Sequence, residues 1–277
     1  MSALDSFTRA AAAIGSDAQA LLHTAAVLPQ YADPAFEPDA VVERVRTWGR
    51  QLGGRVAADA SALSRLRLLN FYFFDELGFR GADHDYESVD NSYLHRVIER
   101  RRGIPITLSL LYMEIGHTLG LRLQGVGFPG HFLVKLPLST GAVMIDVFAR
   151  GITLDANDLR ERLLRLHAPV NARSLQSYLR PAADREIIAR MLRNLKRLHV
   201  QAEDWNALLE VQHRLVALLP AAAEERRDRA QAYERLECPR AAAEDLQAYL
   251  ELRADAPDAA DVRIALRRLQ AAVRNLN

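Results

Sequence analysis

Between Ile104 and Leu119 the apolar residues Ile104, Ile106, Leu108, Leu110, Leu111, Met113, Ile115 and Leu119 fall on almost every face of a helix. A helix that is apolar all round lies enclosed in the middle of its domain, not on its surface. Gly103 precedes it and Pro105 stands at its first turn, where the missing N–H of proline would be unpaired in any case. Residues 1–80 read as several helices. Among them, SALSRLRLLNFYFFDELGF (61–79) has apolar positions at three- and four-residue spacing and a C-cap at Gly78. The loop RGADHDYESVDNSY follows, and VDNSYLHRVIERR is expected to open the next helix under a Ser or Asn cap.

After Gly120 the period changes from helical to two. LRLQGVGF, HFLVKL and AVMIDVF read as short strands separated by Pro, Gly, Ser and Thr. If the last two form a hairpin with Pro137 to Thr140 as its loop, Leu136 pairs with Gly141 and His131 lies directly opposite Asp146. Phe132, Val134, Leu136, Val143, Ile145 and Val147 then share one face, and His131, Leu133, Met144 and Asp146 the other. The alternation that packs the sheet also sets an imidazole beside a carboxylate. A slip of one residue would part them.

Beyond about residue 180 no strand pattern remains. The chain repeats itself at 34 residues instead: Arg193 matches Arg227, Glu203 matches Glu237, Ala207 matches Ala241, Glu210 matches Glu244 and Leu218 matches Leu252. That is the tetratricopeptide period, each unit being two antiparallel helices. Two units and a final helix make a short stack, expected to lean on the preceding domain because such stacks need three or more units. The expected division is a domain over 1–180 and all-α repeats over 181–277.

Acids and bases nearly cancel, at a net charge of +1 over 277 residues, and no basic stripe stands out, which argues against nucleic acid as a partner. No run of 18 or more apolar residues exists, so no membrane-spanning helix is expected, and the N-terminus lacks the basic start and apolar centre of an export signal. Cys238 is the single cysteine. No disulfide within the chain or Cys-based metal knuckle follows from it, and the cytoplasm is the expected location. Neither Asp83-His84-Asp85, read as turn chemistry, nor Glu114 with His117, read as a buried hydrogen-bonded pair, is taken as a metal site, and no cofactor is expected. Arg100, Arg101 and Arg102 read as a solvated helix terminus. Arg102 and Tyr112 are kept as candidates for ligand contacts.

A carboxylate beside His131 would orient the imidazole and stabilise the imidazolium formed when it takes a proton. That is useful in covalent catalysis only if a thiol or hydroxyl stands within reach. In Cys–His enzymes the thiol lies at the N-terminus of a buried helix, where the helix dipole lowers its pKa. Here that position holds Pro105.

From NSYLHRVIERRRGIPITLSLLYMEIGHTLGL through GVGFPGHFLVKL to IDVF, the chain resembles the SirB-type invasion-regulator family of bacterial proteins. The resemblance covers nearly the whole chain. It implies an α+β papain- or transglutaminase-like core, with a helical N-terminal region and a buried helix on a small antiparallel sheet, followed by tetratricopeptide-like repeats. It also implies that His131 and Asp146 correspond to the superfamily's His and Asp, and that Pro105, flanked by Gly103 and Gly120, replaces its Cys. Ser109, one turn on and roughly 5–6 Å along the axis, and Thr107 are the substitute nucleophiles to consider; Ser109 is expected to spend its hydroxyl on an upstream carbonyl. Cys238, in the repeats, is expected to be a small packed residue. The expected function is a non-catalytic scaffold that binds protein or peptide through the repeats. The alternative is a cysteine-less hydrolase or acyltransferase using His131 with Ser109 or Thr107.

Overall fold

A computed structural model describes residues 2–17, 19–139 and 141–275. They form two compact units, one of residues 13–29 and 35–191, the other of residues 1–12, 30–34 and 192–277.

The larger unit opens with helices α2 (Ala20–Ala26), α3 (Pro38–Gly53) and α4 (Ala62–Asn70), the last capped by the Ser61 hydroxyl, which accepts from the Ser64 N–H. The segment predicted to run on to Gly78 does so with a change of winding: one π-helical turn, Phe71–Glu76, continues α4, and Gly78 ends it at φ +76°. Two short parallel strands, β1 (Arg80–Gly81) and β2 (Arg102–Gly103), bracket α5 (Leu94–Arg100). The expected Ser or Asn cap of α5 is absent. Tyr93 holds that place without a side-chain capping bond, and Asn91 and Ser92 are buried in a preceding 3₁₀ turn.

Helix α6 (Pro105–His117) is the centre of this unit. Every residue from Pro105 to Met113 is buried, and the helix packs against α2, α3, α4, α5 and strands β3 (Gln124–Val126) and β4 (Leu133–Leu138). Its entry is tight. A Cβ on Gly103 would lie 2.8 Å from the Thr107 hydroxyl and 2.9 Å from Val97. Its exit needs the left-handed backbone of Gly120, at φ +72°.

With β5 (Gly141–Asp146) and β6 (Ile152–Leu154), strands β3 and β4 form an antiparallel sheet in sequence order. The β4–β5 register differs from the expected one by two residues. Leu138, not Leu136, pairs with Gly141, and Val134 pairs with Ile145. Pro137 therefore belongs to the strand, beyond the stretch of β4 that β3 covers, where its lack of an N–H costs nothing. The loop shortens to residues 139–140, of which Thr140 lies outside the described residues. A shift of two preserves parity, so the predicted faces survive. Val134, Leu136 and Ile145 pack on one side, and Leu133 and Met144 on the other, under Leu159 and Leu163 of α7 (Ala156–Arg165) and Leu175 of α8 (Ala172–Tyr178).

Helix α9 (Asp184–Gln201) leads into α10 (Trp205–Leu218), α11 (Ala223–Arg235), α12 (Pro239–Leu252) and α13 (Ala259–Asn275). The 34-residue repeat reappears as backbone: Glu203 and Glu237 occupy equivalent turns, both left-handed at φ +53° and +55°. The first helix of the chain, α1 (Ala3–Ala12), packs on α10, with Phe7 fully buried and the Arg214 guanidinium 6.0 Å from its ring centre. Cys238 is not packed. It is exposed at the N-cap of α12.

Glu114 and His117 on α6 do not bond each other. His117 Nε2 meets the Leu123 carbonyl at 3.0 Å, while burial, and then the like charge of Asp184, push the Glu114 carboxyl up to about 7. A raised carboxyl pKa favours the folded state below the ordinary value near 4.3, and this contribution is lost as pH rises through about 7. Glu114→Gln is therefore expected to be more stable than wild type at pH 8, by about 2–3 kcal/mol, and equal to it near pH 4, as read by urea unfolding at the two pH values.

Candidate functional site

Asp146 closes β5 with its side chain 3% exposed. Its Oδ1 lies 2.9 Å from His131 Nε2 and accepts from the Ala149 N–H at 3.1 Å, and its Oδ2 accepts from Arg162 Nη1 at 2.7 Å. Burial by itself would push this carboxyl up. The bonds from His131, Arg162 and Ala149 outweigh it and hold the carboxyl at about 2.

His131 reaches the carboxylate from the turn before β4 and not from a facing ladder position, as the expected register had it. The turn is closed by the His131 N–H on the Phe128 carbonyl at 3.0 Å. Arg190 of α9 holds the same turn, donating to the Phe128 carbonyl and, at 2.7 Å, to the His131 carbonyl. The Phe148 ring stands edge-on to the imidazole, 6.1 Å away. Arg162 sits on α7, whose start is fixed by Asp155 accepting from the N–H groups of Asn157 and Asp158. Arg162 and Arg190 were not legible from the sequence: each is one arginine among many on an amphipathic helix, and only the fold aims it.

The substitute nucleophiles do not complete a triad. Thr107 is buried, and its hydroxyl donates to the carbonyls of Asn91 and Ile104, at 2.9 and 3.1 Å. Ser109 is equally buried, but its hydroxyl does not return to an upstream carbonyl; Oγ has no hydrogen-bond partner among the described residues. Neither hydroxyl bonds His131. Tyr112 is fully buried, its hydroxyl donating to Asn70 Oδ1 at 2.5 Å, and burial pushes its phenol far up. Arg102 is half-buried and pairs through its backbone with Arg80.

The basic triple is not a uniformly solvated terminus. Arg100 pairs with Asp85. Arg101, left-handed at φ +55°, lays its guanidinium 4.6 Å from the Trp48 ring centre and 4.9 Å from that of Phe79. The aromatic pair draws it inward. Among the described residues no three of His, Cys, Asp and Glu stand close enough to hold a metal ion.

A family model for the transglutaminase-like superfamily matches residues 39–193, more than half of the chain, and one for the tetratricopeptide repeat matches residues 195–270. This chain is a SirB-type member of the transglutaminase-like superfamily. A UPF0162 protein of Xylella fastidiosa is 35% identical over 87% of this chain and 86% of its own length. A UPF0162 protein of Pseudomonas aeruginosa is 36% identical over 82% and 81%, respectively. Protein SirB1 of Salmonella typhimurium is 28% identical over 68% of this chain and 69% of its own. No solved structure matches the chain. As a SirB-type protein it joins a buried helix on a small sheet to helical repeats, an α+β core followed by an all-α segment. No helix among the described residues is long and apolar enough to cross a membrane.

A depressed carboxylate pKa contributes stability above the ordinary value near 3.9, and that contribution is lost as pH falls toward about 2. Asp146→Asn is expected to cost about 2 kcal/mol at pH 7 and to flatten the acid limb of the stability curve between about pH 4 and 2, measured by urea unfolding across that range. An unchanged acid limb would show that another carboxylate controls it.

Proposed function

We propose that this SirB-type protein is a non-catalytic member of its superfamily, a regulatory scaffold that acts by binding protein or peptide through its repeats. One observation carries the reading. The start of the buried helix, where the superfamily's thiol would stand, holds Pro105, and neither the Thr107 nor the Ser109 hydroxyl bonds His131. What remains, His131 on a buried Asp146, is then a structural bond at the mouth of a remnant cleft. Arg102 belongs to the rim of that cleft in this reading, and Tyr112 to its buried support. The near-neutral charge supports a protein partner over nucleic acid, and the single exposed cysteine supports the cytoplasm as its place of work.

The hydrolase or acyltransferase alternative has one observation in its favour, the unspent hydroxyl of Ser109. A fluorophosphonate probe separates the two readings. The folded wild-type chain is expected to take no label, and a labelled Ser109 or Thr107 by mass spectrometry overturns the scaffold reading. The remnant cleft has its own test. In a Cys238→Ser background, Pro105→Cys is expected to be alkylated by iodoacetamide about tenfold faster than the same thiol with His131→Ala added, because a neighbouring imidazolium favours thiolate. Equal rates would show that His131 does not face the helix start.

A further inference from the structure

The antiparallel sheet of the larger unit ends unevenly. Strands β4 and β5 pair over five positions, but β6 covers only Met144, Ile145 and Asp146 before the chain turns off at Asp155 into α7. The first part of β5 is thus an open edge. In an antiparallel ladder the N–H and C=O of successive residues point alternately to one neighbouring strand and to the other. The Gly125 carbonyl turns away from β4 and accepts from the Ala182 N–H at 2.8 Å, so Val134, opposite Gly125, turns toward β5. Counting along the register, Leu136 and Val143 then bond each other, while Pro137 and Ala142 turn away from each other. Proline, which has no N–H to give, agrees with that count. Ala142 therefore sends its N–H and C=O to the side of β6. Met144 meets Leu154 there; Ala142, two residues back, meets no strand among the described residues.

What it meets is a groove. Beside this edge, between the sheet and α4, lies a cavity of about 670 Å³ whose lining includes Leu63, Leu66, Arg67, Ala142, Asp155 and Asp158. A residue of extended chain packed in a sheet takes roughly 160 Å³, from a rise of about 3.4 Å and spacings of about 4.8 and 10 Å, so about four residues fit. Leu63, 44% exposed, and Leu66 give the groove an apolar wall. Two carboxylates against the single Arg67 leave its lining net acidic.

We propose that this groove receives one extended segment of a partner protein, added to the sheet in line with β6 and carrying an apolar residue and a Lys or Arg. One guest residue exchanges both hydrogen bonds with Ala142, as a residue in the hydrogen-bonded position of an antiparallel pair does. Its sequence neighbours turn to the Val143 side of the sheet, and Val143 lines the groove together with Leu63 and Leu66, so an apolar side chain is covered there. The basic side chain answers Asp155 and Asp158. Two copies of this chain pairing here would set two net-acidic linings face to face, which disfavours a second copy as the guest. The surface belongs to the larger unit and goes beyond binding through the repeats.

Amide hydrogen exchange, read by NMR on the full chain, tests the edge. The Ala142 amide is expected to exchange at least about tenfold faster than that of Met144; equal protection would mean that its N–H is already bonded, and overturns the assignment. Random dodecamers displayed on phage, depleted on the Ala142→Pro variant and then selected on the wild-type chain, test the guest. Ala142→Pro removes a donor that the fold does not use, at a position where an edge strand tolerates proline. Surviving sequences are expected to carry Lys or Arg and, as synthetic peptides, to slow exchange at Ala142 about tenfold. Leu63→Glu is expected to weaken them about tenfold in fluorescence polarisation. Asp158→Asn, which keeps an acceptor for the Asp155 N–H, is expected to reduce the preference for a basic residue. Should Ala142→Pro fail to fold, Leu63→Glu serves in the same depletion. No surviving sequence, or peptides that leave exchange at Ala142 unchanged, overturn the proposal. A concentration-dependent dimer that protects Ala142 gives the edge to a second copy and overturns it as well.

Discussion

The Asp146 carboxylate ties the candidate site together. It is buried and charged, and a buried charge persists only where donors surround it. Its three donors come from three separate segments: His131 from the turn before β4, the Ala149 N–H from the turn after β5, and Arg162 from α7. Removing any one leaves a desolvated charge incompletely paired. The carboxylate thereby fastens two turns to a helix.

The same economy governs the centre of the larger unit. Helix α6 is enclosed from Pro105 to Met113, and its entry is packed so closely that Gly103 admits no side chain and Thr107 turns its hydroxyl onto the Asn91 carbonyl. The dipole of such a helix would favour a thiolate at its N-terminus. Proline has no group for it to favour. The repeats carry a buried polar group of their own: among the described residues neither polar atom of the Gln212 amide has a hydrogen-bond partner.

Some of this was readable along the chain and some was not, and the division follows the range of the interactions. The all-apolar pattern fixed α6 as the buried helix, alternation fixed which residues of β4 and β5 share a face, and the 34-residue period fixed the helix pairs of the repeats. These are local properties, set by backbone periodicity. Register was not local. Reading Pro137 as loop misplaced the β4–β5 pairing by two residues, and the faces survived only because two is an even number.

The sequence by itself therefore determined the main elements, their inward faces and the lack of a thiol at Pro105, while the contact of His131 with Asp146 is made by a turn that the expected register did not contain. Tertiary structure alone decided which arginines matter. Arg162 reaches the Asp146 carboxylate, Arg190 holds the His131 turn, and Arg101 is drawn between Trp48 and Phe79. It also decided which buried polar groups stay unpaired among the described residues, Ser109 and Gln212 being two of them. A long side chain at a helical position has many directions open to it, and only the packing of segments distant in sequence selects one.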